Sequence, residues 1–127
     1  MRDYLFFRIG RCYSKIKFSD ILYVHADKKC VSVITSRCAY LVLDSLKVIE
    51  ERLPKTIFCQ VHRSYIISLD HTDKFDNEFA YISTIKIPIS RRYQAVLMNA
   101  VGGFICVDQP FTLDNGDIEK LLTYMKP

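Results

Sequence analysis

Residues 58–69 read "FCQVHRSYIISL", a β-strand pattern interrupted by three consecutive polar residues. Val61, Ile66 and Ile67 are residues that a buried strand favours. His62 and Arg63 lie between them, and burial of an unpaired histidine or arginine is costly. The stretch therefore predicts a buried sheet in which these two side chains either have partners or face a surface.

The strand pattern continues on both sides of this stretch. Short runs of β-branched and aromatic residues recur, namely "YLFFRI", "CYSKIKF", "DILYVHA", "CVSVIT" and "AYLVL" before it, and "EFAYIS" and "IKIPI" after it. The connections between successive strands are too short to hold crossover helices, which predicts antiparallel pairing. Alternation in "CYSKIKF" predicts that Cys12, Ile16 and Phe18 face inward. Pro88 cannot donate to a ladder, so its strand is predicted to lie at an edge or to end there.

Two segments break the strand pattern and favour helices. In "DSLKVIEERLP", Asp44 or Ser45 can cap a helix whose apolar residues recur at helical spacing until Pro54. In "SRRYQAVLMNAVGG", Ser90 is a candidate cap and the two glycines are a stop signal. We therefore expect a mostly β protein of small antiparallel β-sheets with two or three short helices.

The last segment, residues 101–127, differs in charge from the rest. It has two Lys/Arg against four Asp/Glu, whereas residues 1–100 have sixteen against ten. It offers one more strand and an amphipathic helix with one apolar face, formed by Ile118, Leu121, Leu122 and Met125. We expect a domain over residues 1–100, with residues 101–127 as a strand–helix extension packed on it. Its negative charge should keep this extension away from a polyanion.

Composition narrows the class of protein. A chain of 127 residues that is 50% hydrophobic can bury the core of one domain. Its five cysteines form no C-x-x-C pair, which is typical of reduced thiols in the cytoplasm. No apolar stretch approaches the roughly 18 residues of a membrane span, and the N-terminus does not resemble a signal peptide. We expect a cytoplasmic protein that contacts no membrane.

Several kinds of active site have little support. Cys59 and His62 could be a nucleophile and its base, but their opposite parity in a strand places them on opposite faces. Cys59, His62 and His71 match no structural zinc spacing. The four glycines form no phosphate-binding loop. We therefore predict no catalytic residue, no metal and no cofactor.

Cationic residues at strand ends and turns are the candidates for a binding site. They are Lys28, Lys29, Arg63, Arg91 and Arg92. Each can be an ordinary solvated side chain. Together they can also grip a phosphate backbone, with an arginine that reads a guanine edge bidentately. Spacing alone leaves both interpretations open.

The order of four motifs resembles the LytTR family of bacterial DNA-binding domains. The motifs are "KIKFSDILYVHA", "DSLKVIEERLP", "FCQVHRSYIISL" and "IKIPISRRYQAVL", and the match covers roughly residues 3–100. The resemblance implies small antiparallel β-sheets whose loops enter the major groove of duplex DNA. It places base or phosphate contacts at Lys28 and Lys29, at Arg63 and at Arg91. His62 and Ser64 would organise their strand and turn through hydrogen bonds.

The sequence also departs from the family pattern. Ser68 stands where the family usually has asparagine, Gln60 stands where arginine is common, and "ISTIK" lacks a frequent glycine. The expected function is sequence-specific binding of double-stranded DNA in transcription regulation. The alternative is a LytTR-like protein-interaction or dimerisation module. The sequence allows a homodimer. It also allows an upstream receiver or sensor domain, of the kind that this family module commonly follows.

Overall fold

A computed structural model describes residues 2–110 and 112–125. Within these ranges the chain forms ten strands: β1 (Tyr4–Ile9), β2 (Cys12–Lys17), β3 (Ile21–Ala26), β4 (Val31–Thr35), β5 (Ala39–Val42), β6 (Phe58–His62), β7 (Tyr65–Ser68), β8 (Lys74–Phe75), β9 (Phe79–Ile82) and β10 (Ile85–Pro88). The α-helices of the same ranges are α1 (Leu46–Arg52), α2 (Gln94–Val101) and α3 (Asn115–Met125). Short 3-10 helices cover Phe18–Asp20, Leu69–His71 and Arg91–Tyr93.

The strands form three antiparallel sheets. The largest has five strands in the order β5-β4-β3-β7-β6, the next has the order β10-β9-β8, and β1 pairs with β2 in a hairpin. The predicted mostly β class with small antiparallel sheets is confirmed. Pro88 lies in β10, at an edge of the three-stranded sheet, as predicted.

The five-stranded sheet separates two hydrophobic cores. Adjacent residues of a strand point to opposite faces, so Ile66 and Ile67 of β7 enter different cores, and both are fully buried. The first core includes residues of the β1–β2 hairpin and of α1, such as Ile16 and Ile49. The second core includes residues of the three-stranded sheet and of α2, such as Leu97. The central sheet is therefore covered on both faces.

Helix α1 begins and ends as its sequence predicts. The Ser45 hydroxyl accepts a hydrogen bond from the Val48 N–H at 3.3 Å, which satisfies a backbone donor at the helix start. Leu46, Ile49 and Leu53 are buried on the first core. The helical spacing of these three residues thus gave the packing face correctly.

Helix α2 starts differently from its prediction. The Ser90 side chain makes no capping hydrogen bond, and the 3-10 helix Arg91–Tyr93 precedes the first α-helical residue. The Ser90 N–H donates to the Val61 carbonyl at 2.9 Å, so this residue ties the chain to β6. At the other end, Gly102 has φ +82°, a left-handed conformation that glycine adopts at low cost, and it ends α2 as predicted.

Two other expectations do not hold in the described residues. Cys12 is exposed, because it lies at the end of the β1–β2 hairpin, beyond the core that buries Ile16. Residues 102–110 and 112–114 contain no strand, so the strand expected in the tail is wrong for these residues. Ile118, Leu121 and Leu122 of α3 are exposed, and Met125, the fourth residue of that stripe, has its side chain outside the described part. Packing of α3 on the domain stays a prediction.

Ser68 gives a stability prediction. It is fully buried, and its hydroxyl has no hydrogen-bond partner in the part of the chain that the structure describes. Ser68→Ala should raise the free energy of unfolding by about 1 kcal/mol, because an unpaired hydroxyl no longer has to be desolvated. Urea unfolding measures this change. The control is Ser45→Ala, which removes a capping hydroxyl and should lower the same free energy by about 1 kcal/mol. Equal destabilisation by both substitutions would contradict the prediction.

Candidate nucleic-acid interface

Three cationic connections lie side by side at one end of the five-stranded sheet. The Ala26 N–H donates to the Ser64 carbonyl at 2.9 Å, which places the β3–β4 connection beside the β6–β7 turn. The bond from Ser90 to Val61 places the 3-10 helix that begins at Arg91 beside β6. The structure therefore brings together three connections that are distant in the sequence.

All five predicted cationic residues are exposed on these connections. Lys28 and Lys29 lie between β3 and β4, and Arg91 and Arg92 lie in the 3-10 helix. Arg63, predicted to lie at a strand end or turn, lies in the two-residue turn between β6 and β7. None of these five side chains forms an ion pair with a carboxylate within residues 2–110 and 112–125. Their charges are available to an external anion.

Asp27 organises the β3–β4 connection. Its Oδ1 accepts hydrogen bonds from the N–H groups of Lys29 at 2.8 Å and Cys30 at 3.0 Å. These two bonds hold the pKa of Asp27 below its ordinary value. Sequence reasoning missed this role, although an Asp at the start of a turn is a known signal for this local hydrogen bonding. The carboxylate is engaged by backbone, which leaves the two lysine side chains unpaired.

The β6–β7 turn is held from both sides. The Ser64 N–H donates to Nδ1 of His62 at 3.1 Å, and Nε2 of Gln60 donates to the His62 carbonyl at 3.1 Å. Desolvation, with smaller contributions from Arg63 and His25, lowers the pKa of His62, so the ring is neutral at pH 7 and Nδ1 can accept. The predicted organising role of His62 is confirmed, and Ser64 contributes through its backbone. Arg63 is thus presented from a braced turn.

An aromatic cluster lies directly behind the two connections. The rings of His25 and Tyr65 stack with centroids 4.4 Å apart and 17° between their planes. His62 meets Tyr65 edge-on at 5.6 Å, and the Tyr23 ring lies 6.5 Å from it. Burial, and then the nearby Tyr65, raise the pKa of Tyr23, which keeps that phenol neutral. The cluster was not predicted, because it depends on the cross-strand register of β3 and β7.

The arrangement of strands, connections and motifs matches a known family. A family model described as the LytTr DNA-binding domain matches residues 6–102. The chain belongs to the LytTR family. A solved LytTr DNA-binding domain from Bacillus cereus has the same fold, with a TM-score of 0.69 and 20% sequence identity, over 81% of this chain and 100% of that chain. The family resemblance and the fold inferred from the sequence are both confirmed.

Relatives of this LytTR chain include sensory transduction proteins. LytT from Bacillus cereus is 32% identical over 84 residues, which are 61% of this chain and 34% of the relative. LytT from Bacillus subtilis is 31% identical over 91 residues, or 67% of this chain and 38% of the relative. The chain thus spans about a third of the length of these curated relatives.

Cys59 and His71, which were considered together with His62 for catalysis or metal binding, lie outside this interface. Cys59 is buried in the second core, and burial, with a smaller effect of Glu50, raises its pKa to about 11. His71 contacts the Ser19 carbonyl through Nε2 at 2.6 Å. The described ranges contain no cluster of three or more His, Cys, Asp or Glu side chains arranged to hold a metal ion. No helix of these ranges is long and apolar enough to cross a membrane.

Cys59 should be chemically inert in the folded protein. At pH 8 a thiol with a pKa of about 11 is roughly 0.1% thiolate, and the thiolate is the reactive form. Exposed Cys12 and Cys38 should react with iodoacetamide under native conditions, whereas Cys59 should react only after unfolding. Peptide mass spectrometry distinguishes the three sites. Native alkylation of Cys59 at the rate of the exposed thiols would refute this assignment.

Proposed function

We propose that this LytTR domain binds duplex DNA sequence-specifically and so regulates transcription, with its cationic connections in the major groove. The observation that carries the proposal is a pair of backbone hydrogen bonds, from Ala26 to Ser64 and from Ser90 to Val61. They hold three exposed cationic connections together at one end of the sheet. Membership of a family of DNA-binding domains supports the same ligand. A phosphate backbone would provide the anions that these unpaired side chains lack.

The connections differ in how firmly they hold their cations, which suggests different roles. Arg63 lies in a two-residue turn that His62 and Gln60 brace, so its side chain starts from a fixed backbone position. A guanidinium carried on a fixed backbone suits bidentate recognition of a guanine edge. Lys28 and Lys29 are single ammonium groups on long stems, which suit phosphate contacts.

Arg91 and Arg92 complete the proposed surface on the third connection. Both arginines are exposed, and the Arg92 guanidinium carbon lies 5.6 Å from the centre of the Tyr93 ring, within reach of a cation–π contact. Both lie in the 3-10 helix Arg91–Tyr93, which the backbone hydrogen bond from Ser90 to Val61 holds beside β6. We assign them to the flanking phosphates or to a second base step.

In this proposal the protein acts by binding alone, with no chemical step and no cofactor, in the cytoplasm. Residues 1–100 form the DNA-binding unit, and residues 101–127 are an extension outside the interface. The chain covers about a third of the length of its LytT relatives, so the proposal includes an upstream receiver or sensor domain that controls this one. A mobility assay over a salt series tests DNA binding, because release of counterions makes affinity fall steeply with salt. Absence of binding at low salt would favour the interaction-module alternative.

Arg63→Ala should reduce specific binding by about 1–3 kcal/mol and relax the preference at one base pair. A binding selection from random duplexes first identifies the preferred sequence. Competition between that duplex and single-base variants of it then measures both effects. The control is Arg37→Ala, which removes an exposed arginine from the β4–β5 turn at the opposite end of the same sheet and should leave affinity unchanged. Equal losses on specific and random duplexes would exclude base reading by Arg63.

Lys28→Ala should weaken binding to all sequences by a similar factor, because a phosphate contact carries no sequence information. The slope of log affinity against log salt should fall by about 1. Titrations of specific and random duplexes at several salt concentrations provide both numbers. Lys55→Ala is the control, since Lys55 pairs with Glu50 at 3.4 Å beside α1. A loss confined to the specific duplex would instead place Lys28 on a base.

A further inference from the structure

A groove of about 890 Å³ opens between β1 and β5. Its apolar floor includes the rings of Phe7 and Tyr40, whose centroids lie 5.4 Å apart. This floor covers the first core, in which Ile21, Val24 and Val33 are buried. Leu41 on its margin is 73% exposed, and Leu43 beside it is fully exposed. In the described residues, β5 pairs only with β4 and β1 only with β2, so both strands have a free edge. The groove therefore combines apolar floor with unpaired backbone.

The sequence "FICV", residues 104–107, is an apolar segment without a partner in the described structure. Phe104, Ile105 and Val107 are 72%, 89% and 71% exposed. The segment belongs to no helix or strand. Adjoining exposed apolar side chains of this size usually mark a contact surface. In recognition by strand addition, an extended segment pairs with a free strand edge and its apolar side chains enter pockets beside that edge. The segment and the groove have these two properties.

The segment cannot reach the groove of its own chain. It follows α2, whose last residue, Val101, packs with the second core, and α2 lies against β6. The groove lies over the first core at β5, on the opposite face and the opposite edge of the sheet. Four strand spacings separate β6 from β5, roughly 19 Å. Residues 102–107 span roughly 20 Å when fully extended, so crossing the sheet alone would use the whole segment.

We propose that residues 104–107 of one copy dock as an added strand in the groove between β1 and β5 of a second copy. The exchange is mutual, which closes a twofold dimer. Charge supports the fit, since Arg8 and Arg52 outnumber Asp44 on the groove lining, and Asp108 directly follows the apolar segment. This dimer does not depend on DNA binding, so a failure of either proposal leaves the other standing.

Light scattering after size-exclusion chromatography of the full chain, at rising protein concentration, tests the dimer. Ile105→Asp in the segment and Leu41→Lys on the groove margin should each weaken dimerisation on the order of 100-fold, because each buries an unpaired charge in an apolar contact. Both side chains are exposed, so the fold should tolerate both changes, which circular dichroism checks. Val96→Asp is the control, an exposed valine of α2 outside both surfaces.

Mixing the two variants makes the test specific. In a heterodimer, the native segment of the Leu41→Lys chain meets the native groove of the Ile105→Asp chain. At the second contact the introduced carboxylate meets the introduced ammonium group. The mixture should therefore form dimers although each variant alone is monomeric. A wild-type chain that stays monomeric at all concentrations would overturn the proposal. So would a dimer that survives either substitution, or a mixture that forms no dimers.

Discussion

The pairing of β3 with β7 is the interaction on which the rest of the structure depends. It aligns Val24 with Ile66 and His25 with Tyr65, and so joins two parts of the chain that are 40 or more residues apart. A slip of one residue would exchange Ile66 and Ile67 between the two cores. The apolar side chains on each face of the strand would then lose the core residues that they pack against. The same register places Ala26 beside Ser64. Core packing and the position of two of the three cationic connections are thus set by one ladder.

The interface shows a division between groups that carry charge and groups that position it. Asp27, His62 and Gln60 use their polar atoms on backbone groups of the connections. The lowered pKa of His62 keeps its ring neutral, so it braces the turn without adding to the charge. Positive charge is left to lysine and arginine side chains on the outside. Such an arrangement holds the backbone of a loop while its long side chains adapt to a ligand.

The sequence predicted those features that depend on local pattern. Helical spacing located the buried face of α1 and its Ser45 cap, and short connections gave antiparallel sheets. Motif order identified the family and pointed to the exposed cations, whose individual roles stay predictions. Cys12 was wrongly assigned to the core because alternation defines a face but not how far the covering layer extends. The Ser90 contact and the stacking on Tyr65 depend on partners brought in by the fold, which no local pattern contains.

The hydrogen bond from Ala26 to Ser64 has a kinetic consequence. Its two residues are 38 positions apart, so the bond forms only after a long loop has closed and β3 has found β7. The hairpins on either side close short loops and form earlier. During folding the β3–β4 connection and the β6–β7 turn therefore come together only when β3 pairs with β7. A chain that has not finished folding would carry the same charges but not the surface, so incomplete molecules should compete poorly with native ones for a common ligand.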